Sequence, residues 1–144
     1  MELYPIDDDR RLFMSGDLQN WESIGRQGID VIIDVIIDLD GGLDACIPTD
    51  ANRCLYVYFP FADDDQDLPS VAKLQAVAAM GATLMRHGHR VLAHCNMGFN
   101  RSGLVAGAIL KALGMSGEAA VTRIRDRRPG ALYNERFTDY LLSD

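Results

Sequence analysis

The sequence predicts an α/β fold: a central, mostly parallel, twisted sheet of about four to five strands, flanked by helices on both faces. Three observations predict it. Runs rich in β-branched and aromatic residues at 30–35, 53–59 and 90–93 read as buried strands. Helical patterns separate and follow them, and strands that alternate with helices make a parallel sheet covered on both sides. The 144 residues are 48% hydrophobic and 24% charged, with no linker-like or low-complexity tract, so one domain over 1–144 with a real core is expected.

Taken in order, Leu12, Phe13, Met14 and Ser15 form a short strand before Gly16. A helix is expected over 18–27, capped by Ser15 or Asp17 and closed by Gly28. Asp30, Asp34 and Asp38 recur every fourth residue, which a helix would gather on one face and a strand would as well. The Val and Ile between them favour strand, and without histidine or further carboxylates nearby the run is not read as a metal site. After the strand at 53–59 comes an acidic loop over 61–68. Pro69 is placed in the first turn of the next helix, whose apolar face is Val71, Leu74, Val77, Ala78 and Met85. That helix ends near His87 and Gly88. His87 and His89 are two nitrogens without further ligands in sequence, so they are read as turn residues. Three more helices are expected, over 103–113, 117–127 and 134–142.

A net charge of −7 argues against general affinity for nucleic acid or an anionic membrane, which need clustered Lys and Arg. The basic run Arg123, Arg125, Arg127 and Arg128 is read as a solvated helix face. Three cysteines cannot form a complete disulfide framework, and no signal segment or long apolar run is seen, so a soluble cytoplasmic chain is expected. Cys46 and Cys54 are expected as ordinary cysteines, with a redox partnership to Cys95 as the lesser alternative.

The chemistry concentrates in residues 94–102, His-Cys-Asn-Met-Gly-Phe-Asn-Arg-Ser. A strand feeding a tight loop into a helix N-terminus points backbone N–H groups at an anion. Cys95 puts a nucleophile in that bowl. Thiols attack as thiolates, and the loop amides, the helix N-terminus and Arg101 all favour negative charge there. Gly98 permits the turn, Ser102 offers a hydrogen bond to sulfur, and His94 is expected to order the loop backbone from behind. The planar fork of Arg101 matches two phosphate oxygens. Taken alone, the loop also suits rhodanese-like sulfur transfer or arsenate reduction. Phosphoester cleavage adds one requirement, an acid for the leaving oxygen, and Asp63, Asp64 and Asp65 lie on a loop able to supply it.

Residues 94–103 resemble the signature loop of the cysteine-dependent protein tyrosine phosphatases, in particular the small, atypical dual-specificity branch. Tyr58, Phe59, Pro60, Phe61, Ala62 and Asp63 resemble the family's segment ending in the catalytic aspartate, which stands before Cys95 at about the family's usual separation. Arg128 and Pro129 followed by Asn134 and Phe137 resemble its C-terminal pattern, in which the asparagine braces the signature loop. The stretch 12–35 resembles its N-terminal strand–helix–strand. The resemblance implies that Cys95 attacks phosphorus while Arg101 and the amides of Asn96, Met97, Gly98, Phe99 and Asn100 hold the phosphate oxygens. Asp63, or Asp64 as the alternative, would serve as acid and then base. Ser102 would ease departure of sulfur, with His94 and Asn134 in support. It implies no metal and no cofactor.

The implied function is hydrolysis of phosphotyrosine and of phosphoserine or phosphothreonine in a protein or peptide, by a monomer. Asn100 departs from the small residue more usual at its position. The signature loop lacks the basic residues that favour inositol phospholipids, and −7 suits an RNA 5′ end poorly. Those two substrates, and a catalytically weak phospho-binding adaptor, stand as the rival readings.

Overall fold

The computed structural model describes residues 2–18, 21–37 and 54–143. Its elements are β1 (Tyr4–Pro5), β2 (Leu12–Ser15), α1 (Trp21–Arg26), β3 (Val31–Asp34), β4 (Leu55–Tyr58), α2 (Val71–Arg86), β5 (Val91–His94), α3 (Arg101–Ala112), α4 (Gly117–Arg127) and α5 (Glu135–Leu142). Among the described residues the strands form one five-stranded sheet in the order β1-β2-β5-β3-β4. β2, β5, β3 and β4 run parallel, and only β1 is antiparallel. The α/β expectation holds, with five strands.

Side chains on alternate strand residues point to opposite faces, and each strand here divides its residues accordingly. Phe13, Ile32 and Leu92 pack on one face with Leu18, Ile24 and Ile29, the face that carries α1. Leu12 and Met14, Val31 and Ile33, and Val91 and Ala93 face the other side, where Leu74, Leu104, Ile109, Ile124 and Phe137 from α2, α3, α4 and α5 join them. A strand buried on both faces needs an uninterrupted apolar run, which is why β3 and β5 read so plainly. β5 lies between β2 and β3, with His94 in register with Ser15 on one side and Asp34 on the other. The loop after β5 therefore opens at the carboxyl ends of the three inner strands, where open α/β sheets bind ligands.

Several expected boundaries move. β1 was not foreseen; two residues carry no periodicity. The first helix covers Trp21–Arg26 rather than 18–27: Leu18 is not helical, and the chain turns at Gly28 with φ +70°. Ser15 belongs to β2, and its hydroxyl bonds to the Gly16 carbonyl instead of capping α1. Pro69 lies outside α2, because Ser70 is the N-cap, its hydroxyl accepting from Lys73 N at 3.3 Å. A hydroxyl there satisfies a free amide that proline at the first turn would merely lack. Val71 is exposed, and Gly81 and Ala82 complete the buried face of α2. α3 starts two residues early, at Arg101, with Asn100 at its N-cap. Asp38, Cys46 and Arg53 lie outside the described residues.

The arginine run is not a uniform solvated face. Arg127 pairs with Asp8, and Arg125 donates to the Leu132 carbonyl at 2.9 Å. The Arg128 guanidinium lies between the rings of Tyr4 and Phe99, 4.3 and 3.9 Å from their centroids. From there Nε donates to Gly98 O at 3.1 Å and Nη2 to Met97 O at 3.3 Å. Arg128 thus ties the end of α4 to the signature loop. His87 and His89 are turn residues, hydrogen bonded to Thr83 O and to Asp30 Oδ2.

Candidate active site

The loop between β5 and α3 closes over Cys95, which is 2% exposed. Its thiol accepts from Gly98 N at 3.2 Å and donates to Ser102 Oγ at 3.3 Å. The Gly98 φ of +76° is left-handed, and a Cβ there would lie 2.7 Å from Gly16 N and 2.8 Å from Ser15 C. Glycine is required on both counts, conformation and space. Leu132 N donates to Phe99 O at 3.1 Å and Asp17 N to Asn96 O at 2.9 Å, so the loop's outward carbonyls are held from outside. Of its amides, Gly98 N points inward, at the Cys95 sulfur. Met97 is 62% exposed and stands on the rim. Phe99 meets the exposed ring of Tyr133 edge-on at 6.0 Å.

Arg101 and Ser102 occupy the first turn of α3, where free backbone amides and the helix dipole favour an anion. Arg101 is buried, and its Nη1 donates to Phe61 O at 3.3 Å. That carbonyl belongs to the acidic loop, which is anchored by aromatic contacts of Phe61 with Phe59 (5.2 Å) and Phe137 (6.0 Å). Further along the same loop, the Asp63 carboxylate takes Asn100 Nδ2 on Oδ2 at 2.9 Å and Asn134 Nδ2 on Oδ1 at 2.7 Å. Asp64 is turned away: its carboxylate accepts from Gln66 N at 2.8 Å, and only its carbonyl meets Asn134. Asn134 is also the N-cap of α5, accepting from Phe137 N at 3.1 Å. The fold therefore gathers Cys95, Arg101, Ser102, Asp63 and Asn134, which come from three separate stretches of the sequence.

Among the described residues His94 makes no hydrogen bond to the loop backbone. Its Nε2 lies 3.2 Å from Asp34 Oδ1, both side chains fully enclosed, and among the described residues neither ring nitrogen has a partner in good hydrogen-bond alignment. Asp34 also receives the Tyr56 hydroxyl and, at 3.0 Å, the amide of Ile36. Burial pushes the Asp34 carboxyl upward, but His94, Tyr56 and the Ile36 amide outweigh it and hold its pKa below the ordinary value. A depressed carboxyl stabilises the fold above its unfolded pKa of about 3.9, and that contribution is lost as pH falls through the lower folded value. Asp34→Asn should therefore be about 1–3 kcal/mol less stable at neutral pH, the worth of hydrogen bonds to a buried carboxylate, with a gap that narrows below pH 4. Urea unfolding at pH 7 and pH 3 measures this; parallel losses in both proteins would contradict it.

An open cleft of ≈ 820 Å³ adjoins the bowl on the far side of Asp63, lined by Asp63, Asp64, Asp65, Glu135, Tyr133 and Asn134 among others. Neither Cys95 nor Arg101 lines it; Asn100 of the signature loop does. Among the described residues no cluster of three or more His, Cys, Asp or Glu is placed to hold a metal ion.

A buried thiol taking a loop amide, with a buried guanidinium and a helix N-terminus following it, is the arrangement of cysteine-based phosphatases. The family model "Dual specificity phosphatase, catalytic domain" matches residues 18–143. The chain belongs to that family and is a cysteine-based phosphatase. Among solved structures it is similar to Tk-PTP in its active form, at 26% identity and TM-score 0.77, covering 96% of this chain and 92% of that one. Human DUSP28 is similar in fold at 22% identity and TM-score 0.78, with 96% and 89% covered. So is PTPMT1 in complex with PI(5)P, at 16% identity and TM-score 0.80, with 97% and 92% covered. A search of curated proteins gives no match.

Sequence reasoning missed two participants: Asp34, hidden in an evenly spaced acidic run, and Tyr56, in a strand. Arg128 was picked out by the C-terminal pattern, but its grip on the loop carbonyls was not foreseen. Contacts set by strand register or made from a helix end carry no local signal.

Proposed function

We propose that the chain, as a single catalytic domain over 1–144, hydrolyses phosphotyrosine and phosphoserine or phosphothreonine in protein substrates through a phosphocysteine. The observation that carries this is the joining of Asp63 to the loop that holds Cys95, through Asn100 and Asn134. Cys95 sulfur, as thiolate, attacks phosphorus. The phosphate oxygens are held by the amides of residues 96–101 and the Arg101 fork. As the P–O bond breaks, Asp63 gives its proton to the leaving oxygen, and the phosphoryl group stays on sulfur. Water then attacks phosphorus and returns a proton to Asp63. The S–P bond breaks, the Ser102 hydroxyl turns to donate to the departing thiolate, and inorganic phosphate leaves. No step requires a metal. The thiolate needs a reducing compartment, in keeping with a cytoplasmic monomer.

The carboxylates of the bordering cleft favour a protein substrate, since they repel polyanionic inositol lipids or RNA ends. PTPMT1, similar in fold, was crystallised with PI(5)P, so a phosphoinositide is the second reading. Assaying phosphotyrosyl and phosphoseryl peptides, PI(5)P vesicles and 5′-phosphorylated RNA side by side tests the reading. Peptides should lead by at least tenfold, and equal or faster turnover of PI(5)P would overturn it. The acid is tested separately. Asp63→Ala should lower kcat for alkyl phosphates by about 10²–10³-fold with little change in KM, while Asp64→Ala stays near wild type. The reverse order would transfer the role to Asp64.

A further inference from the structure

Asp63 lies in an exposed segment outside any helix or strand, yet its carboxylate is fixed at both oxygens. One of the two donors, Asn134, is fixed itself by capping α5. The other, Asn100, belongs to the phosphate-binding loop and is 2% exposed, with both ends of its amide engaged. Nδ2 donates to Asp63 Oδ2 at 2.9 Å, and Oδ1 accepts from Asn134 N at 2.9 Å. A shorter residue at 100 would not span that gap, and a hydrophobic one would leave Asn134 N buried without a partner. Asn100 is also the N-cap of α3, so it moves with Cys95, Arg101 and Ser102.

We propose that Asn100 is a positioning residue for the general acid, latching the Asp63 loop to the loop that carries the nucleophile. It touches neither phosphorus nor the leaving oxygen. Its effect is to keep the proton donor in one place relative to Cys95, so that little ordering of an exposed loop remains to be done during bond cleavage. This rests on the reading of Asp63 as the acid.

The latch should matter most when the leaving oxygen needs a proton. In Asn100→Ser, kcat for a phosphoseryl peptide should fall about 10- to 100-fold, the worth of one hydrogen bond to a charged group. For p-nitrophenyl phosphate, whose leaving group departs with little help, the loss in kcat should be at least fivefold smaller than on the peptide. A general loss of folded protein would lower both rates by the same factor, so the ratio of the two losses carries the test. The double variant Asp63→Ala/Asn100→Ser should be no slower on the peptide than Asp63→Ala alone. Where Asn100→Ser does not fold, Asn100→Asp serves: it keeps an acceptor for Asn134 N, sets a carboxylate against Asp63, and should show the same selective loss.

Two failures are distinguishable. Should Asp63→Ala leave phosphoseryl turnover intact, the assignment of the acid falls and the latch with it. Should Asp63→Ala slow it while Asn100→Ser does not, or the double variant lose both effects in full, the acid stands and the latch is wrong.

Discussion

Cys95→Ser is expected to lose turnover by at least about 10⁴-fold on every phosphoester, while still binding substrate. Serine fits the space, because it is no larger than cysteine and keeps Gly98 N and Ser102 Oγ as hydrogen-bond partners. A hydroxyl in the same bowl does not ionise as a thiol does, so the amides, helix terminus and Arg101 would face a poor nucleophile. Substrate affinity should stay within a few-fold, since the groups proposed to hold the phosphate oxygens are unchanged by the substitution. Initial rates and equilibrium binding of one phosphopeptide separate the two effects. Activity within tenfold of wild type in Cys95→Ser would rule out sulfur as the nucleophile, and the adaptor reading would gain only if the wild type were equally slow.

The second large effect falls on Arg101. Its guanidinium is buried at the first turn of α3 and reaches the Phe61 carbonyl, which leaves it beside the anion bowl with a fixed plane. Arg101→Lys keeps the charge but replaces two parallel donors with a point charge on a flexible stem. A loss of about 10²–10³-fold in kcat is expected, the worth of a preorganised donor to transition-state charge. KM should rise as well, because on the proposed mechanism the same fork also holds the ground-state phosphate. A thermal melt within a few degrees of wild type would show that the loss is not unfolding. Full activity in Arg101→Lys would mean that charge alone suffices and that the planar fork does not matter.

What could be read from the sequence depended on how local each feature is. β5, the signature loop and α3 follow one another without a gap, so spacing alone gave the nucleophile, the guanidinium and the turn glycine. β3 was legible because a strand buried on both faces leaves an unbroken apolar run. Asp63 and Asn134 sit far from Cys95 in sequence, one on either side: the need for an acid narrowed the first to Asp63, Asp64 or Asp65, and only the family resemblance chose Asp63 and picked out Asn134. The fold supplied the reason, a shared hydrogen-bond set at one sheet end. His94 shows the limit. Its neighbour in sequence is Cys95, but its partner is Asp34, brought alongside by strand register. Asn100 looked like a departure of uncertain use, and its role became visible only when Asp63 and Asn134 arrived at its two amide atoms. Pro69 and Ser70 offered two competing helix starts, and the hydroxyl that could satisfy an amide prevailed.

In the proposed mechanism every turnover passes a phosphoryl group through Cys95. Quenching the wild-type enzyme in acid within milliseconds of mixing it with a phosphotyrosyl peptide, then mapping the mass gain by proteolysis, tests this most directly. The expected result is one phosphoryl group on the peptide containing Cys95, appearing and decaying with turnover and missing in Cys95→Ser. Full turnover with no phosphoryl group on Cys95, or with the group on another residue, would contradict it.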